Sequence, residues 1–493
     1  MAISVVWLKR DLRLTDHEPL LKAAQSGHAV LLVYCFEPIQ LHDPHYKPRH
    51  WQFVLSSLKD IAARVPQGAL YISFKDVQHT FAELHDKYSI AGLYSYQEIG
   101  LNNTFERDKL IASCCENAGI TWHETPYGAV IRGLTHRKTW DEYWQKVMRA
   151  PTADVDLDAV NWCVENEFSD RVKKAAIDEH PEWFLEAGEY QQGGEKAAKE
   201  VLDSFFDTRG QAYAYSVSSP ILSQIHCSRL SPYLAWGNIS LRQAYQAVLQ
   251  NWQKKGWRRS LVAFTSRLHW HCHFIQKFES QSSMEFEPVN LGYTHLPRAD
   301  KALAAERLAA WQQGKTGVPM VDACMRCLIA TGYINFRMRA MLVSFLCHHL
   351  EVDWRDGAPY LASLFLDFEP GIHYSQMQMQ AGVTGFNTIR IYSPVKQGLE
   401  KDPDGEFVKR WLPELANIPA PLVHEPWQLS PMEQLMYGVE LGKKYPDPIV
   451  DVSKSYKAAQ DLLWKWRKRP EVRAQVSHLL ARHVRPDQKI YEK

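Results

Sequence analysis

The sequence predicts an α/β protein in which an N-terminal doubly wound parallel sheet is followed by a large all-helical domain. Short β-rich runs alternate with amphipathic segments up to about residue 130, which argues for strands joined by crossover helices. From Glu195 onward the apolar residues recur almost wholly at helical spacing. With 493 residues and a hydrophobic fraction of 45%, the chain is long enough for two or three domains with substantial cores.

The strand-like runs are Ser4 to Leu8, Val30 to Phe36, Leu70 to Phe74 and Gly92 to Tyr96. Parallel sheets of this kind bind ligands at the carboxyl ends of their strands. Neither a G-x-G-x-x-G nor a P-loop follows any of them, which argues against dinucleotide or triphosphate binding by that route. From Thr135 to Gly193 prolines and acidic residues intersperse with aromatics, the pattern of an interdomain connector. The expected organisation is therefore an α/β domain over residues 1–130, a connector over 131–194 and a helical domain over 195–493.

In the last of these, Gln243 to Trp252, Ser260 to Phe278 and Lys301 to Trp311 read as helices. Two further apolar stripes follow, through Val321, Met325, Leu328 and Ile329 and through Met338, Leu342, Phe345 and Leu346. Arg337, Arg339, Asp353, Asp367 and Glu369 lie within or beside these stripes, and a charge placed there must be paired or must serve a ligand. Ser453 to His483 is helical again and interleaves Lys465, Arg467, Lys468 and Arg469 with Trp464 and Trp466. That mixture suits either nucleic-acid binding or a solvated helix with a tryptophan anchor.

A formal charge of +1 means that any nucleic-acid binding needs a local basic surface. The nine cysteines lack ligand spacing, and Cys324 and Cys327 fall in an apolar helical pattern, as core cysteines would. No long apolar segment is present, and Lys9, Arg10 and Asp11 interrupt the N-terminus too early for a signal peptide, so a cytoplasmic protein without a membrane partner is expected.

Several motifs occur together and in order: VVWLKRDLRLTDHEPL from Val5, CSRLSPYLAWGNIS from Cys227, WQQGKTGVPMVDACMR from Trp311, then D-W-R-x-G and GEFVKRWLPEL. Together they resemble the DNA photolyase and cryptochrome family, a resemblance that implies flavin adenine dinucleotide (FAD) in the helical domain. A flavin dinucleotide needs donors for its pyrophosphate, a cation beside the ring and acceptors for the ring N–H groups. The resemblance assigns Tyr213, Cys227, Ser228, Arg229, Leu230 and Ser231 to the phosphate segment, and Phe264, Arg267, His271 and Phe336 to further cofactor contacts. Arg339 and Asp367 match the ion pair beside the isoalloxazine, Glu369 the second acidic position and Trp270 the ring that stacks on a flipped pyrimidine pair.

The departures from the family pattern are also informative. Counting without gaps from Asp367 places His373 opposite the flavin N5, where a histidine titrating near neutrality would govern ring protonation. Met379 stands where the usual partner of Trp270 would be. Trp354 matches the middle of the family's electron-carrying tryptophan chain, but the inner position is Met377, which leaves Tyr333, Tyr374 and Tyr392 as available relays. Alternate histidines at 269, 271 and 273 point to different helix faces and so do not make a metal site.

The resemblance implies light-driven splitting of cyclobutane pyrimidine dimers in DNA by a monomer, with Arg339, Asp367, His373 and Trp270 in the central roles. The alternative is a cryptochrome-type blue-light photoreceptor. It also implies a second, antenna chromophore in the N-terminal domain, near Tyr96, Gln97 and Glu98, although these are equally the polar residues of a solvated loop.

Overall fold

The computed structural model describes residues 2–165, 180, 183 and 190–484. Of the expected connector over 131–194, residues 166–179, 181–182 and 184–189 lie outside the described residues. The five strands β1 (Ile3–Leu8), β2 (Ala29–Cys35), β3 (Leu70–Ser73), β4 (Ile90–Tyr96) and β5 (Thr121–Thr125) form one sheet in the order β3-β2-β1-β4-β5, parallel throughout. Every residue of β1 and β2 is buried, which explains their unbroken apolar runs, because helices cover both faces of a parallel sheet. The edge strand β5, TWHET, is largely exposed and carries no such run.

The loop leaving β1 crosses to the helical half of the chain. Its Leu12 N–H donates to Trp236 O at 3.1 Å, Asn238 Nδ2 donates to Leu12 O at 2.8 Å, and Arg13 Nη1 donates to Gly237 O at 3.0 Å. Gly237 has φ +71°, and a Cβ there would stand 2.2 Å from Arg10 O, so only glycine permits this approach. Asp11 and His17, paired at 2.7 Å and fully buried, brace the loop from within.

Among the helices of the helical half are α1 (Ser231–Ala235), α2 (Arg258–Ser280), α3 (Pro319–Thr331), α4 (Phe336–Ser344), α5 (Trp354–Leu364) and α6 (Pro370–Gln380). The stripe residues Val321, Met325, Leu328, Met338, Leu342, Phe345 and Leu346 all lie in its core at 0% exposure. Asn335 caps α4 by accepting from Met338 N, and Asp353 caps α5 by accepting from Arg355 N. Asp353 is also paired with Arg355 at 2.8 Å, so one of the charges beside the stripes serves the fold. Helix α6 packs closely on α2: a Cβ on Gly371 would lie 2.8 Å from Ile275 Cα. The C-terminal segment is two helices, Val452–Arg467 and Pro470–His483, because Pro470 cannot continue the first. Among the described residues no helix is long and apolar enough to cross a membrane.

Candidate functional site

A cavity of about 250 Å³ opens between α1, α2, α4 and the start of α6. Phe264, Arg267, Trp270, His271 and Phe274 line it because their spacing along α2 keeps them on one face. His269 turns away, pairing through Nε2 with Asp141 Oδ1 at 2.9 Å and packing on Trp140 and Trp144. Opposite α2 lie Tyr213, Cys227, Ser228, Arg229 and Ser231, with Phe336, Arg339, Asp367 and Glu369 at the inner end. A smaller cavity of about 80 Å³ shares that inner wall and reaches His373.

Arg339 is held at three points. Its two terminal nitrogens donate to the two carboxylate oxygens of Asp367, each at 2.9 Å, and its Nε donates to Ile334 O at 2.8 Å. Such a fork-to-fork pair fixes the plane of the guanidinium as well as its position. Burial opposes ionisation of Asp367, but Arg339, the Ser231 hydroxyl and Arg229 outweigh it and hold the carboxyl below its ordinary range. A fixed positive group with its counter-charge thus stands at the inner end of the cavity.

Glu369 behaves in the opposite way. Burial pushes its carboxyl up to about 7, against the lowering influence of Arg10 and the Gly371 N–H. Arg10 Nη1 is 3.6 Å away, and neither carboxylate oxygen makes a hydrogen bond of ordinary geometry. His271 is half-buried with both ring nitrogens buried, is held near 4 by burial and by Arg10, and neither nitrogen has a partner among the described residues. Gln376 Nε2 shares that condition on the same wall. Buried polar atoms without partners are costly unless a ligand satisfies them. Three such groups facing one cavity fit a polar, ring-bearing cofactor.

His373 is a correction to the sequence reading. Burial pushes its pKa down to about 3, and its Nε2 bonds Ala358 O at 2.9 Å, so it is a neutral N–H donor to the backbone and does not titrate near neutrality. The phosphate segment leads into helix α1. Helix α1 has only five residues and a correspondingly small dipole, so the available donors are side chains, with Arg229 in the left-handed region (φ 60°) and its guanidinium 3.6 Å from the Tyr333 ring centre. Arg209 anchors this segment by donating to the carbonyls of Cys227 and Ser228.

Leu230 lies behind the wall in the core at 0% exposure. Met379 lines neither cavity; Gln376, one turn earlier on α6, takes the wall position near Trp270. Trp354 is buried away from both cavities, its ring centre 6.2 Å from Tyr374. Arg10 was absent from the sequence-derived site. The only signal for it was a pair of charges, Lys9 and Arg10, just after a mostly apolar strand.

At the carboxyl end of the sheet a second cavity of about 310 Å³, sharing Leu234 and His271 with the first, is lined by Arg13, Tyr96, Tyr127, Tyr143 and Arg242. Glu98 is engaged elsewhere, pairing with Arg107 at 2.6 Å. A larger cavity, about 1400 Å³, lies between Arg337, Arg390, Tyr392, Trp427 and Tyr456 and contains none of the residues of the Arg339 site.

Residues 264–465 match a family model described as the FAD binding domain of DNA photolyase, and residues 4–150 match one described as DNA photolyase. The chain is 28% identical to a cryptochrome DASH of Natronomonas pharaonis over 93% of this chain and 100% of that protein. It is 26% identical to a deoxyribodipyrimidine photo-lyase of Alkalihalophilus pseudofirmus, covering 93% of this chain and 97% of the other. The crystal structure of a Synechocystis cryptochrome superposes with a TM-score of 0.79 at 25% identity, covering 94% of this chain and 99% of that one. Arg339, Asp367 and the unpartnered wall therefore sit in a domain of known type, and the chain belongs to the DNA photolyase and cryptochrome family.

Proposed function

We propose that this protein is a light-dependent DNA repair enzyme that splits cyclobutane pyrimidine dimers. The observation that carries the reading is that one cavity has the fixed Arg339–Asp367 pair at its inner end and the Arg267–Trp270 stack, 4.1 Å from guanidinium to ring centre, on its wall. Bound FAD supplies the light absorption and the transferable electron. Tyr213, Cys227, Ser228, Arg229 and Ser231 hold its phosphate side, Arg339 balances negative charge on the reduced ring, and Asp367 holds Arg339 in place. Phe264, His271, Phe336 and Glu369 complete the wall, with neutral His271 and the Glu369 carboxyl, raised to about 7 and so half protonated at pH 7, able to donate as well as accept. Trp270 offers its face to a flipped base pair, and Arg267 stiffens that face. DNA itself is held by phosphate contacts, so binding weakens as salt rises.

The cavity at the sheet's carboxyl end, with Tyr96 and Arg13 on its wall, supports a second, light-gathering chromophore in the N-terminal domain. The test of the main reading is repair of an oligonucleotide bearing one thymine dimer by the reduced, FAD-loaded protein under blue light, against a dark control. Light-dependent recovery of thymines is expected. Normal flavin bleaching without recovery would move the assignment to a photoreceptor, the reading favoured by Met379 lying off the wall.

A further inference from the structure

Met377 occupies the position where the family resemblance expects the inner electron-donating ring, and it is buried. The same helix carries a phenol, Tyr374, one turn earlier, which is 3% exposed. Its ring centre lies 5.4 Å from that of His373, on the wall of the inner cavity, and 6.2 Å from that of Trp354. A buried phenol gives up an electron readily only if its proton can leave at the same time, because the oxidised phenol is a strong acid.

An acceptor for that proton is in place. Tyr374 Oη is 2.6 Å from His45 Nε2, His45 Nδ1 is 2.5 Å from Asp43 Oδ1, and Asp43 Oδ2 accepts from Asn103 Nδ2 at 2.7 Å. An ionised carboxylate only accepts, so Nδ1 carries the ring hydrogen and the Nε2 lone pair faces the phenol. The imidazole is stacked on Phe368, with centres 5.5 Å apart and planes 11° apart, which fixes its aim. The Asp43 side chain is 9% exposed and that of His45 8%, so the relay is almost fully enclosed.

We propose that Tyr374 is the electron donor to FAD bound in the Arg339 cavity and that His45, oriented by Asp43, takes the phenolic proton. One electron passes from the phenol to the photoexcited oxidised flavin, the Tyr374 O–H bond breaks, and an N–H bond forms at His45 Nε2. This leaves a neutral phenoxyl and an imidazolium paired with Asp43. A small thiol in solution returns the electron, His45 returns the proton, and pairs of thiols leave as disulfide with their protons released to water. The proposal rests on flavin occupancy of the cavity and is independent of dimer repair.

The test is electron paramagnetic resonance on the FAD-loaded protein, illuminated without DNA or thiol and frozen. The wild type is expected to give a tyrosyl signal that added thiol removes. Tyr374→Phe is expected to lose it. His45→Gln is expected to lose it too, because an amide accepts the hydrogen bond but not the proton. Flavin content and absorbance equal to wild type show that each variant is folded, and if His45→Gln is not, Asp43→Asn makes the same test, with loss of signal expected. A tyrosyl signal surviving in Tyr374→Phe, an unchanged yield in the tested proton-relay variant, or only a tryptophan radical in the wild type would overturn the proposal. Wild-type protein that retains no FAD would overturn the flavin reading itself, and absorbance reports that separately.

Discussion

Arg10 Nη1 stands 3.6 Å from Glu369 Oε2, joining the loop after β1 to the start of α6 across the two halves of the chain. The Glu369 carboxyl, ordinarily near 4.5, is raised to about 7, first by burial, with Arg10 and the Gly371 N–H acting the other way. The folded state therefore holds this proton more tightly than the unfolded chain. Its contribution to stability is complete below the ordinary value and is lost as pH rises through the raised one, by on the order of 3 kcal/mol. Glu369→Gln stays neutral at every pH. Urea unfolding of the flavin-free proteins should show the wild-type advantage over this variant shrinking between pH 4.5 and pH 7 and level above that. A difference that does not change with pH would rule out the raised carboxyl.

Asp322 holds together the motif that made the sequence recognisable. One carboxylate oxygen accepts from Thr316 N at 2.8 Å and Thr316 Oγ1 at 2.7 Å, the other from Gly317 N at 3.0 Å and Tyr445 Oη at 2.7 Å. Asp322→Ala strands these donors in the core and should cost about 3–5 kcal/mol. Tyr445→Phe removes one donor and should cost about 1 kcal/mol. Chemical denaturation measures both, and similar losses in the two variants would show that the carboxylate is not the organising group.

The fold was legible where burial dictates residue type. Strands β1 and β2 are covered on both faces and read as continuous apolar runs, whereas β5 is mostly exposed and left no such signal. The helical stripes named the core because each lies along a single helix face. Arg339 and Asp367 were visible as charges among apolar residues. Arg10 and His45 were not, because only the chain's return across the sheet brings them to α6. Counting along α6 put Met379 on the wall, but the cavity face reaches Gln376 one turn earlier. The protonation of His373 could not be read from residue type, since burial decides it.

Asp367→Asn converts a bidentate ion pair into a single acceptor facing a charged guanidinium. Removing one partner of a buried pair leaves the other uncompensated, and because the Arg339 side chain is 24% exposed the cost should fall to about 2 kcal/mol rather than the several seen in full burial. The freed guanidinium also loses its fixed plane, so flavin retention should fall with stability. Unfolding free energy and flavin-to-protein absorbance ratio check the two effects together. Wild-type values for both would mean that the pair orders nothing.

Trp270 separates lesion binding from cofactor binding. Its ring lies on the cavity wall with the Arg267 guanidinium 4.1 Å from its centre and Phe274 6.3 Å away edge-on, so its removal leaves the Arg339 end untouched. Stacking of a base on an aromatic ring contributes about 1–3 kcal/mol. Trp270→Ala should therefore weaken binding of dimer-containing DNA by about tenfold to a hundredfold, while binding of undamaged DNA, governed by phosphate contacts, changes little. Titration of both duplexes at one salt concentration, with flavin content measured alongside, makes the comparison. Equal weakening of both duplexes would place Trp270 on the general DNA surface, and no weakening of either would move the lesion pocket away from this face of α2.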